Sequence, residues 1–171
     1  MIIVFAHKKS SRLVYIFSRI FKDILGVEFF FSTNKQEFIN SQLPSINYST
    51  EDLNKGIWIV PHSLLYNIGI EKTEIGNIIL WKNMPAFFSQ EKGDIPFDLF
   101  AAAFYLITRY EEYHSVTLDN HGRYQYTNSI LNKMGCIEEP IVDQWAYALK
   151  TELLKAYPEC KFLPRSFRFI P

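Results

Sequence analysis

The amino-acid sequence predicts an α/β fold, a three-layer sandwich around a mainly parallel sheet of about four to six strands. Three observations predict it. Short, continuous apolar runs recur from Ile2–Phe5 onward, as strands buried on both faces require. The first run is followed by an amphipathic helical pattern and then another apolar run, the order of a βαβ unit. Two stronger helical segments lie later, at residues 97–113 and 140–157, each able to cover the sheet.

Ile2–Phe5 is the first strand. His7-Lys8-Lys9-Ser10-Ser11 leads into a helix whose apolar residues Leu13, Ile16, Phe17, Ile20, Phe21, Ile24 and Leu25 recur at spacings of three and four. Ser10 or Ser11 suits its N-cap, and Gly26 its C′ position. Residues 27–32 (VEFFFS) form the next strand candidate. Residues 34–42 give one or two helical turns stopped before Pro44, and residues 46–49 another strand. Residues 57–60 (IWIV) read as a buried strand ending in Pro61-His62-Ser63. Residues 78–81 and 86–88 complete the strand candidates, with 86–88 expected as the last central strand.

Residues 97–113 (FDLFAAAFYLITRYEEY) are the most distinctive stretch. Asp94, Pro96 and Asp98 carry helix-start chemistry, because the first N–H groups of a helix lack acceptors and its N-terminus is positive. From Leu99 to Ile107 every residue is apolar, so this helix belongs in the core. Ala101, Ala102 and Ala103 permit close approach of another element. Charge then crowds the end, with Arg109, Glu111 and Glu112, and the next loop brings His121 and Arg123. A charge drawn partly out of water needs a partner. The cluster is therefore expected to clamp its own loop, with Arg109 bonded within the protein and His121-Gly122-Arg123 folded back toward the helix. The other reading is a carboxylate–His–Arg ligand or acid–base site.

Hydrophobic residues make up 48% and aromatic residues 16% of the 171-residue chain, enough for a sizeable core. Eighteen basic and eighteen acidic side chains cancel, so no electrostatic drive toward nucleic acid exists. No run reaches the roughly 20 apolar residues of a membrane span, and the N-terminus lacks the pattern of a secretory signal; a cytoplasmic setting is the expectation. Glycine-rich phosphate loops, GxSxG, HExxH and CxxC are absent, and no cofactor or metal is expected in this segment. Cys136 and Cys160 suggest buried thiols, with their pairing left open. His7 and His62 both follow apolar runs. If those strands are neighbours, the two imidazoles share a cleft at one sheet edge.

Residues 97–113, the LDNHGRY of 118–124, the helix around 142–153 and the closing FRFIP together resemble one known arrangement. It is the N-terminal domain of unknown function that precedes the catalytic domain in bacterial polysaccharide deacetylase-family (NodB-homology) proteins. The resemblance implies a single accessory α/β domain over 1–171, stopping before the catalytic domain that would be its partner. No catalytic residue is carried over, since the family's T-x-D-D motif would begin after Pro171. A non-catalytic role is expected, docking on the catalytic domain or helping to present a glycan. A small hydrolase-like enzyme using the Arg/Glu/His cluster, or a structural or oligomerisation module, is the alternative. The tail, with Phe162, Phe167 and Phe169 alternating with polar residues, reads as a strand seeking a sheet edge.

Overall fold

All four residues of β1 (Ile2–Phe5) are buried, and they face two different cores. The computed structural model describes residues 1–113 and 118–163. Ile2 and Val4 enter the large core shared with the main helices, while Ile3 and Phe5 meet Phe38 and Leu53 on the opposite face. Alternation along an extended strand sends successive side chains to opposite faces, so burial on both sides needs apolar residues throughout.

The central sheet is parallel, in the order β2-β1-β3-β4, with β2 at Phe29–Ser32, β3 at Ser45–Tyr48 and β4 at Ile57–Ile59. Between β1 and β2 runs α1 (Ser11–Ser18), capped by the Ser10 hydroxyl, which accepts from the Leu13 N–H. It continues as a π-helical turn over Arg19–Ile24 that keeps Ile20, Phe21 and Ile24 buried. The turn stops at Gly26, whose φ of +66° few side chains adopt. A Cβ there would also stand 2.6 Å from the Leu163 carbonyl oxygen. On the other face, α2 (Lys35–Asn40) contributes Phe38.

Residues 86–88 do not form a central strand. β5 (Ile79–Trp81) and β6 (Met84–Ala86) make a separate antiparallel hairpin, turned by Lys82 and Asn83 at φ +52° and +66°. Two causes keep this segment out of the main sheet. Pro85 has no N–H to donate to a second neighbour, and Phe88, at φ +59°, breaks the extended backbone directly afterwards.

Three helices complete the large core: α3 (Leu99–Ile107), the short α4 (Ile130–Lys133) and α5 (Ile141–Ala156). The alanine run of α3 is buried, and its neighbour Phe100 stacks on Phe17 of α1, with ring centres 3.7 Å apart and planes 15° from parallel. Trp145 of α5 is fully buried against Phe87 and Phe97 and donates its indole N–H to the Pro85 carbonyl. Phe162 packs on this core beneath the Lys150 ammonium. The strand expected in the FRFIP tail lies outside the described residues.

Candidate functional site

α3 is shorter than the sequence suggests, and its polar end is a separate element. Asp98, not Asp94, is the N-cap: its Oδ1 accepts from the Phe100 and Ala101 N–H groups at 3.0 Å. Asp94 instead grips the outer edge of β4, accepting from the Trp58 N–H at 2.7 Å and donating its own N–H to the Trp58 carbonyl at 2.8 Å. At the other end the α-helix stops at Ile107. Arg109 takes a left-handed conformation at φ +51°, the role glycine usually fills, and a 3-10 turn follows over Tyr110–Tyr113. A straight helix to Tyr113 would have carried Glu111 along the Phe100–Phe104 side; the break turns it toward the 118–130 segment.

Glu111 is the pivot of that end. Its Oε2 accepts from the Ile130 N–H at 2.9 Å, at the first residue of α4, and its carboxylate also receives the Tyr124 hydroxyl. Burial raises the Glu111 pKa, against the lowering effect of those two donors. The Tyr124 phenol is pushed up to about 12, first by burial and then by the Glu111 charge. The chain thus returns to the helix end through Tyr124 and Ile130.

The other charges settle elsewhere. Arg109 pairs with Glu112, yet its side chain is 71% exposed, so it is no buried clamp. His121 and Arg123 do not fold back onto the helix end. Leu118 and Tyr124 bridge a small hairpin in which Asp119 accepts from the His121 N–H, the Arg123 N–H and the Arg123 Nε. That local turn competes successfully for Arg123, because an Asp side chain reaches its own backbone two residues on. His121 stays exposed.

Two clefts meet around Tyr124 and Tyr126. One, of about 210 Å³, is bounded by Arg109, Glu111, Glu112, Tyr124 and Tyr126. The second, of about 440 Å³, is bounded by Asp119, Arg123, Tyr124 and Tyr126. Glu111 and Tyr124 also border a third cleft, of about 270 Å³, which holds Lys72 and Lys133.

His7 and His62 sit at the carboxyl edge of the same sheet but on strands that are not neighbours, since β3 separates β1 from β4. His7 stands edge-on to Phe5. His62 lies flat on Phe88, 4.1 Å between ring centres, and its Nδ1 accepts from the Leu64 N–H. Burial lowers its pKa. The neighbouring strands that a shared imidazole cleft was expected to need are therefore not present.

What the sequence reading missed is the buried junction beside His62. The second oxygen of Asp98 accepts from the Tyr48 hydroxyl at 2.7 Å and the His62 N–H at 2.6 Å. This one carboxylate joins β3, the exit from β4 and the start of α3. Burial raises the Asp98 pKa to about 6 despite four hydrogen bonds that pull it down. With no exposed surface on Asp98, the junction is a structural lock and cannot meet a solute.

Among the described residues, no group of three or more His, Cys, Asp or Glu is placed to hold a metal ion, and no helix is long and apolar enough to cross a membrane. Cys136 and Cys160 are buried free thiols. No curated protein and no solved structure matches the chain. A family model does match, over residues 2–158, and so the chain belongs to the family of unknown function DUF7033.

Proposed function

We propose that the chain is a non-catalytic accessory module that holds a glycan at the polar end of α3, alongside the catalytic domain of a polysaccharide deacetylase-like protein. The observation that carries the binding part is the junction of two clefts at Tyr124 and Tyr126, with Tyr126 66% exposed. Tyrosine faces stack on the C–H faces of sugar rings, while carboxylates and guanidiniums bond to hydroxyls. The same charges favour holding over acid–base chemistry. Arg109 and Glu112 are paired, Arg123 and Asp119 are paired, and Glu111 is engaged by the Ile130 N–H and Tyr124. His121, the natural proton shuttle of the cluster, is turned to solvent with its backbone bound to Asp119. The deacetylase context rests on the resemblance of residues 97–113 and 118–124; the matched family carries no description of function.

Isothermal titration of the full chain with hexaoses of the chitin, cellulose and xylan types tests this reading. One of them is expected to bind, and Tyr126→Ala, at an exposed site, is expected to weaken that binding at least about tenfold with an unchanged melting temperature. Absence of binding to all three and to hexamers of charged sugars, or binding indifferent to Tyr126→Ala, contradicts it.

A further inference from the structure

We infer that the glycan held at this site carries a free amine, and that the Glu111 carboxylate receives it from the cleft shared with Tyr124 and Tyr126. The inference rests on the glycan reading above and adds the class of sugar. Of the three carboxylates at the two tyrosine clefts that carry cationic side chains as neighbours, Glu112 and Asp119 already have guanidinium partners, Arg109 and Arg123. Glu111 alone forms no direct ion pair among the described residues; both its hydrogen-bond donors, the Ile130 N–H and the Tyr124 hydroxyl, are neutral, and the Lys133 charge acts on it only from beyond ion-pair distance. An ionised carboxylate accepts at about four lone-pair positions, so two donors leave room for a third. Half-burial strengthens its attraction for a cation relative to an exposed acid.

The surroundings select the direction of approach. The other cleft that Glu111 borders, with Lys72 and Lys133, is cationic and repels an ammonium. In the cleft of about 210 Å³ the charged walls are Arg109, Glu111 and Glu112, one cation against two anions. There the phenol rings of Tyr124 and Tyr126 present faces to which an ammonium is attracted. A neutral N-acetyl group at the same place could not form the direct ion pair that Glu111 lacks. An acidic sugar would meet two carboxylates.

The test compares three probes on the full chain by calorimetry: a glucosamine hexamer with free amines, its N-acetylated counterpart, and a hexamer of galacturonic acid. The free-amine hexamer is expected to bind about tenfold more tightly than the acetylated one, as expected for one added charge pair in a half-buried site. Glu111→Gln should bring the two within about threefold, because the amide keeps an acceptor for the Ile130 N–H and loses the charge. Comparison of the probes on the unaltered chain needs no variant, so a poorly folded Glu111→Gln leaves the test intact. Equal affinity for the amine and acetylated hexamers, or preference for the acidic one, overturns the amine inference while leaving the glycan reading standing. Failure of all three probes and of the neutral hexaoses removes the glycan reading, and this inference with it.

Discussion

Replacing Tyr48 by Phe removes one hydroxyl from the core and leaves the ring, and its cost should depend on pH. The hydroxyl donates to Asp98 Oδ2 at 2.7 Å, with both residues fully buried. The carboxyl titrates at about 6 in the folded protein against an ordinary 3.8, so as a lone group it favours the fold when protonated. That contribution is complete below about pH 3.8 and is lost as pH climbs to about 6. The Tyr48 hydrogen bond opposes the loss, because it stabilises the anion. Near pH 7.5 the bond is made to a charged acceptor, and its removal costs about 1.5–3 kcal/mol; near pH 4.5 the acceptor is neutral and the cost is about 0.5–1.5 kcal/mol. The destabilisation by Tyr48→Phe should therefore grow by about 1–2 kcal/mol between those conditions, equivalent to raising the Asp98 pKa by about one further unit. Urea denaturation of both proteins at each pH measures it, and every other titrating group cancels in the difference. With a slope near 2 kcal/mol per molar, the gap between midpoints widens by about 0.5–1 M on going to pH 7.5. A gap that is the same at both pH values refutes the role given to Asp98.

Arg109→Ala should change stability by no more than about 0.5 kcal/mol, since it removes an exposed ion pair. Glu111→Ala, which orphans the Ile130 N–H and the Tyr124 hydroxyl, should cost about 1–3 kcal/mol in the same denaturation assay. Equal costs for the two variants contradict the assignment of Glu111, rather than Arg109, as the residue that secures the loop. Gly26→Ala should cost more than about 1 kcal/mol, because left-handed backbone and contact with the Leu163 carbonyl act together; thermal melting without a downward shift rejects that packing.

The start of the fold was legible because its signals are local. The Ile2–Phe5 run, the Ser10 cap and the spacing from Leu13 to Leu25 each specify structure within a few residues, and together they describe the βαβ unit observed. Residues 97–113 were legible as a buried helix but not in their end, because no glycine marks the left-handed position that Arg109 occupies. The sequence left the cap open between Asp94 and Asp98, because acids on both sides of Pro96 fit the same local rule, and only the neighbouring edge of β4 decides between them. The Tyr48–Asp98–His62 junction joins residues 50 and 36 positions apart, so no periodicity reveals it. In the polar cluster Arg109 bonds within the protein as expected, to Glu112, while the partner of Arg123 differs from the expected one. Arg123 was expected at the helix end, but Asp119, four residues away, holds it first.

Where a sugar makes contact is the direct test of the account. In a nitrogen-15 NMR titration of the full chain with the free-amine glucosamine hexamer, the largest shifts should fall at Glu111, Glu112, Tyr124 and Tyr126, around the 210 Å³ cleft. Shifts gathered instead at His7 and His62 on the carboxyl edge of the sheet, or none at saturating sugar, would contradict it.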